Sequence, residues 1–495
     1  MITYIILLFI IFLLGFWITW RIRNRRLLEL SEKLSGPKTY PFVGNAHIFM
    51  ANPREHPKIL SEIFLSHGDY LRFWLGPDLI VGIKNPTDIR ALLTGNKVSQ
   101  KGSLYEFTLN FIGPGILSGG PTWRKHRKIC TPTYNKKSVQ HFGHIFNKET
   151  EDLVASLLNK DETTKFDVYN DVVQYTTKCV CQTLMGLSKK DSEDVYRLQE
   201  IIKETPNIYN LIFLKMTRWW HHIPFIYWIS GNRAQEKRLM KLVDDVTTDI
   251  VCKRRRSLKN EGLVNEELMG VVDRFILSGE LNEKEIKEET FTLFTTSQEA
   301  AAKIASAVLL ILARLPDWQD KVYAEILSVV GQDEVSEEHH KQLPHLDMVL
   351  KEATRYLSIA AMIQRTVDDD VTVDDGRITI PAGASILIPI QDLHRDPRFW
   401  DQPNKVMPER FSPENCRKRD PNCFVPFSLG PMDCLGRVYA TALIKTMVVR
   451  VLQRVQLETD EVLEDLELKY AISVKFANGY NLRVKPRRPK NGKIH

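Results

Sequence analysis

The chain has 495 residues, 43% hydrophobic and 26% charged, with 68 Lys and Arg against 61 Asp and Glu for a net charge of +7. That balance excludes a disordered chain, and a modest charge with no basic stripe on a recognisable module argues against a nucleic-acid partner. Seven scattered cysteines with no Cys-x-x-Cys exclude a disulfide framework and fit a reducing, cytosol-facing environment.

Met1 to Trp20 carry no charge and are mostly Ile, Leu and Phe. At helical rise this stretch spans about 30 Å, enough to cross a bilayer. Arg21, Arg23, Arg25 and Arg26 follow at once, so the positive-inside rule keeps that end, and the body behind it, cytosolic. A cleaved signal peptide fits poorly, because no basic region precedes the apolar run and no small-residue cleavage site follows it. Residues 1–20 therefore read as an uncleaved anchor of the endoplasmic reticulum type. Residues 21–45 read as a basic linker with a Pro/Gly hinge over Gly36 to Gly44. Residues 46–495 read as one large domain, mainly α with a small β part.

Within that domain, Tyr70 to Leu75 and Leu79 to Ile83 read as a hairpin around Gly76-Pro77. From Trp123 to about Val330 the patterns are mainly helical. Pro206 to Ser230 is rich in aromatics, with Trp219, Trp220, Phe225, Tyr227 and Trp228, and reads either as a lid lying on the membrane or as ordinary core. Asn282 and Glu285 make a capping-box start for a helix running to Leu315, about 50 Å long and able to floor a pocket. Leu346, Val349, Leu350, Ala353 and Leu357 fall at helical spacing, which puts Glu352 and Arg355 on one face at i, i+3. Val371 to Ile380 and Ile386 to Ile390 read as strands, Tyr439 to Val455 as an apolar helix, and Leu466 to Val484 as a strand meander. The pairs His221-His222 and His339-His340 lack partners at metal spacing and read as surface residues. No internal repeat appears, and the basic tail Lys485 to Lys490 lacks aromatic interleaving.

Phe427-Ser428-Leu429-Gly430-Pro431-Met432-Asp433-Cys434-Leu435-Gly436 is the most informative stretch. A thiolate at the start of the following helix sees oriented N–H groups and the positive end of the helix dipole. Gly430 and Gly436 let the backbone approach something flat and large. A lone Cys of this kind suits axial ligation of haem iron, while the plainer alternative is a buried cysteine at a loop–helix junction.

Five motifs stand in order along the chain: Trp123-x-x-x-Arg127, Glu352-x-x-Arg355, Leu393-His394-Arg395-Asp396-Pro397, Pro408-Glu409-Arg410-Phe411, and the Cys434 loop. Together they resemble the cytochrome P450 superfamily over nearly the whole length, closest to insect members of the clan containing the fatty-acid omega-hydroxylases. The resemblance implies a P450 fold behind an N-terminal transmembrane helix. It implies haem b bound without a covalent link, with Cys434 as the iron ligand and Phe427, Gly430 and Gly436 shaping the loop. It gives the haem propionates to Trp123, Arg127 and Arg365, with His394 as a further contact. It makes Glu352, Arg355 and Arg410 a structural lock. It also implies an NADPH-cytochrome P450 reductase, with cytochrome b5 as a second electron donor, docking on the positive patch of Arg124, Lys125, Lys128, Lys136 and Lys137. The expected activity is monooxygenation of a lipophilic substrate such as a fatty acid, hormone, pheromone or xenobiotic.

The departures from the resembled pattern bear on mechanism. The clan's central helix carries an acid followed by a threonine, which together organise protons for O–O cleavage; here they align with Glu299 and Ala300, so the acid remains and the alcohol is missing. Thr296 stands where a covalently haem-linking glutamate is frequent, so no ester is expected. Met432 replaces an arginine that contacts a propionate. Ala300 keeps open an O2-independent isomerase or dehydratase, and Ala300 with Met432 keeps open a haem-binding protein that sequesters ligands with little turnover. NADPH consumption separates the first of these from a monooxygenase.

Overall fold

The computed structural model describes residues 2–261 and 265–487; the end of the basic tail, 488–490, lies outside the described residues. Helix α1 (Ile2–Arg23) runs three residues past the expected anchor end and keeps Arg21 and Arg23 in its last turn. Tyr4, Leu7, Leu8, Ile11, Phe12, Phe16 and Ile18 all lie exposed on it. Within the expected linker, ahead of the Gly36 to Gly44 segment, Arg25–Ser31 forms a second helix, α2. Trp20 meets Trp74 edge to face, so the end of α1 packs on the body.

The body has a helical side and a sheet side. Hairpin β1 (Tyr70–Leu75) and β2 (Asp78–Ile83) forms as expected around Gly76, whose φ is +58°. These strands join β3 (Gln100–Lys101), β5 (Ile363–Thr366) and β8 (Ser385–Ile388) in one sheet of order β1-β2-β8-β5-β3. The β2–β8 pair is parallel and the other neighbours are antiparallel. The run from Val371 to Ile380, read above as one strand, is a hairpin of β6 (Val371–Val373) and β7 (Ile378–Ile380). Asp374, Asp375 and Gly376 all take positive φ between them, which short acidic residues and glycine tolerate best. A three-stranded sheet joins β4 (Phe166–Asp167), β12 (Asn481–Pro486) and β9 (Val455–Glu458), and β10 (Leu468–Lys469) pairs with β11 (Lys475–Phe476).

The helical side is assembled round one long element. Helix α3 (Trp123–Cys130), α4 (Tyr169–Thr183), α5 (Leu198–Thr217) and the short α6 (Pro224–Ile229) precede it. Helix α7 (Glu283–Arg314) starts with the expected reciprocal cap. The Glu285 N–H donates to Asn282 Oδ1 at 3.0 Å, and the Asn282 N–H donates to Glu285 Oε2 at 2.8 Å. It is apolar and long enough to cross a membrane, but 83% of its most apolar window is buried in protein, so it is the core helix of the fold. Each fully buried Leu, Ile or Phe contributes about 1.5–3 kcal/mol by leaving water, which is why a sequence this apolar centres the domain. Helix α8 (Pro344–Tyr356) carries Glu352 and Arg355, and α9 (Arg437–Arg454) follows the Cys434 loop.

The histidine pairs are not plain surface. His340 is half-buried, its ring nitrogen lies 3.0 Å from Thr446 Oγ1, and burial beside Lys445 pushes its pKa down to about 4. His221 is half-buried as well. No group of three metal-ligating side chains occurs among the described residues.

Candidate active site

Local geometry around Cys434 follows from the loop's glycines and the helix behind it. Ser428 and Gly430 take φ of +61° and +75°, and the turn closes when the Cys434 N–H donates to the Phe427 carbonyl at 2.8 Å. A Cβ on Gly430 would lie 1.9 Å from the Leu93 carbonyl oxygen. The glycine therefore lets the loop pack on a neighbouring helix end, and the expected close approach to a flat ligand is not its reason. Gly436 is different. A Cβ there would meet only the Cys434 sulfur, at 4.0 Å, so that side of the sulfur stays open. Gly436 is the N-cap of α9, and its N–H is aimed at the thiol.

Cys434 is exposed to solvent-sized access, yet dehydration by surrounding protein pushes its thiol pKa up. Asp433 pushes the same way, and the Gly436 N–H, Arg127 and Arg437 oppose them. A side chain both accessible and dehydrated lies on the wall of an interior space. Helix α7 offers a matching wall. Between Glu289 and Ala313 every residue is buried except Thr296, Ser297 and Ala300, which fall on one stripe at i, i+1 and i+4. Tyr134 sits near both Ser297 and Cys434.

Arg127, Arg437 and Lys101 lie near the thiol, and Arg365 lies beside Lys101. Arg365 on β5 is 2% exposed; it donates to the Gln364 carbonyl at 2.9 Å and to the Met432 carbonyl at 3.4 Å. Lys101 on β3 lies directly across the sheet from it. Burial pushes the Lys101 pKa well down, Arg365 and Arg127 add to this, and Cys434 opposes them. Neither Lys101 nor Arg365 has a carboxylate partner among the described residues. Arg127 on α3 donates to Asp433 Oδ1 at 2.7 Å and to its carbonyl at 2.8 Å. Trp123, one turn before, is 8% exposed. Arg365 is a buried cation without a carboxylate partner among the described residues and Lys101 beside it is half-buried, an unfavourable arrangement, so this wall suits an anionic ligand. A haem with two propionates fits that demand, and its iron fits the open thiol.

His394 does not join this set. It is fully buried, its Nε2 accepts the Val425 N–H at 3.0 Å, and its Nδ1 lies 2.8 Å from Ser358 Oγ. Both ring nitrogens are used within the protein, so the expected propionate contact is absent.

The expected lock forms behind the loop. Arg355 donates from Nε and Nη2 to the two oxygens of Glu352 at 2.7 and 2.8 Å. Its Nη1 donates to the carbonyls of His394 and Pro403 at 2.9 and 2.8 Å, and its Nη2 also donates to Lys405 at 3.1 Å. Arg410 Nε lies 3.5 Å from Glu352, and the Met407 N–H donates to the same carboxylate at 2.8 Å. Glu352 and Arg355 are wholly buried.

Glu299 lies about a quarter-turn round α7 from the centre of the accessible stripe and is 4% exposed. Its carboxylate forms an ion pair with Lys303 and accepts from Ser473 Oγ at 3.0 and 3.1 Å. Ala300 is on the stripe, so the two aligned positions face different ways. The sequence reading missed Lys101, Lys303, Asp433 and Ser473. Only Lys303, four residues after Glu299, carried a local signal.

An accessible thiol at a helix start, nearby cations and an ion-pair lock fit a haem-thiolate protein. The comparisons agree. The family model for cytochrome P450 matches residues 34–476, so the chain belongs to the cytochrome P450 family. It is 27% identical to Probable cytochrome P450 4s3 of Drosophila melanogaster over 484 residues, covering 93% of each chain. It is also 27% identical to cytochrome P450 4V2 of Homo sapiens, covering 91% of this chain and 89% of that one. Cytochrome P450 4d1 of Drosophila simulans is 28% identical, with 89% and 90% covered. The protein is a haem-binding P450 monooxygenase that needs a redox partner and takes a lipophilic substrate.

Proposed function

We propose that this P450 inserts oxygen into a fatty acid, hormone, pheromone or xenobiotic, with electrons from NADPH-cytochrome P450 reductase and cytochrome b5 as a further donor. The observation that carries the reading is the accessible stripe Thr296, Ser297 and Ala300 on α7, matched to the accessible thiol of Cys434. Haem b, bound without a covalent link, supplies O2 activation and electron transfer. Cys434 holds its iron, with the Gly436 N–H and the α9 N-terminus favouring the thiolate. Trp123, Arg127, Arg365 and Lys101 hold its propionates, and Phe427 and Gly430 set the loop. Glu352, Arg355 and Arg410 fix the backbone behind it.

Glu299 is the acid of the proton path, held inside α7 while water serves the stripe where Ala300 lacks a hydroxyl. Trp219, Ile223, Phe225, Trp228 and Ile229 lie exposed together on α6 and the turn before it, which supports the lid reading over the core reading. With the exposed apolar side chains of α1, they support a body resting on the cytosolic face of the endoplasmic reticulum membrane. The positive patch is weaker than its sequence suggested, because Lys136 and Lys137 pair with Glu337 and Glu267; exposed Arg124 and Lys128 remain for steering an acidic partner.

The test is turnover of a lipophilic panel by the full chain with reductase and NADPH. Oxygenated product with matching NADPH use supports the reading, and conversion of hydroperoxides without NADPH would replace it with the isomerase reading. A chain beginning near Lys33 should leave carbonate-washed membranes; full retention would count against the anchor.

A further inference from the structure

We propose that Lys303 is a positioning residue for Glu299: it holds the carboxylate buried against Ser473, so this acid exchanges a proton only when the pair opens. The inference rests on Glu299 being the acid of the proton path. An acid followed by Lys at i+4 is the favourable order on a helix, and on a surface such a pair contributes little. Here both side chains are 5% exposed. Lys303 also donates to Ser473 Oγ, whose hydroxyl in turn donates to both Glu299 oxygens, so three side chains close on one another. Ser473 lies in the turn between β10 and β11, so the pair also pins the C-terminal hairpin to the core helix.

Every element packed here contributes a group. Helix α7 brings Thr295, whose hydroxyl lies 3.0 Å from Tyr209 of α5. Helix α4 brings Tyr169, β11 brings Lys475, and the segment between β11 and β12 brings Tyr480. Burial pushes the Tyr169, Tyr209 and Tyr480 phenols up, and the Glu299 charge adds to it, so all three stay neutral. Lys475 makes no ion pair with Glu299 among the described residues. Lys303 is therefore the cation that permits a charged carboxylate at this depth; burial pushes its own pKa down and Glu299 opposes that. Without it a buried carboxylate recovers a proton near neutral pH.

The test uses full-length, haem-loaded Lys303→Met, Lys303→Gln and Lys303→Arg, each also combined with Glu299→Gln. Infrared difference spectra report a protonated carboxyl directly. A new carboxylic-acid carbonyl band that weakens as pH is raised is expected in Lys303→Met and Lys303→Gln across a scan from about pH 6 to about pH 9. It should be missing in the natural protein, in Lys303→Arg and in every Glu299→Gln combination. Product per NADPH should then become pH-dependent in the Met and Gln variants only, by about threefold or more over that range. No new band, with the natural pH profile, would overturn the proposal. If the single variants fail to fold, folding of their Glu299→Gln combinations supports the charge dependence, and failure of those too would overturn it in favour of mere packing. If the band appears but Glu299→Gln leaves product per NADPH unchanged, Lys303 still holds Glu299 and the proton-path reading is what fails.

Discussion

Arg355→Ala is the most severe single change the structure identifies outside the haem loop. The guanidinium makes a bidentate pair with Glu352 and three bonds to the carbonyls of His394, Pro403 and Lys405. Removing one partner of a buried ion pair costs about 3–5 kcal/mol. The carbonyls of His394 and Pro403 lose their donor, at roughly 1–3 kcal/mol each where water cannot replace it. Lys405 keeps a bond from Arg410 at 3.2 Å, and Glu352 keeps the Met407 N–H, so those losses are partial. The sum is at least about 5 kcal/mol, comparable to the whole stability of a typical domain at about 5–15 kcal/mol. Arg355→Ala should therefore yield little folded, haem-loaded protein. Arg355→Lys keeps the charge but not the planar fork, and should lose about two bonds, roughly 2–3 kcal/mol. Guanidinium unfolding followed by haem absorbance checks both. An Arg355→Ala protein with natural haem content and an unchanged midpoint would refute the lock.

Three further outcomes follow from single residues. His394 is pushed down to about 3 by burial and by Arg355 and Arg419, against 6.5 for a free imidazole. Its folded state refuses a proton that the unfolded chain accepts, so stability should fall as pH drops below about 6.5, by about 2 kcal/mol at about pH 5; His394→Gln should flatten that slope in unfolding curves, and an unchanged slope would discount His394. Ala300 lies on the accessible stripe without a hydroxyl, so the natural protein should release hydrogen peroxide for much of its NADPH. Ala300→Thr should raise product per NADPH towards full coupling, because proton-transfer help of this kind speeds its step by roughly 100- to 10,000-fold; tight coupling in the natural protein that worsens on substitution would show that the missing alcohol is no defect. The Thr296 hydroxyl donates to the Thr292 carbonyl at 2.7 Å and offers no carboxylate, so acid–organic extraction should release all the haem, and retained haem would contradict the alignment.

Local chemistry was legible in the sequence, and long-range register was not. Glu352 and Arg355 share a helix face by spacing alone, and Asn282 with Glu285 marked the start of α7. Cys434 announced itself through its glycines, although Gly430 turns out to serve packing on Leu93. Lys101 carried no local signal, because its role comes from lying opposite Arg365 across a strand pair formed far along the chain. Asp374-Asp375-Gly376 was readable as a turn, but the apolar residues on either side suggested one continuous strand. The second hydrogen bond of His394 comes from Val425, whose N–H no motif points to.

The central claim is that Cys434 ligates haem iron as a thiolate. The reduced carbon monoxide difference spectrum of the natural protein beside Cys434→Ala tests it most directly. The natural protein should give the thiolate-type band, and Cys434→Ala should lose it while the lock residues stay in place. A Cys434→Ala protein that keeps the thiolate-type band, or a natural protein that never shows it when loaded with haem, would contradict the account.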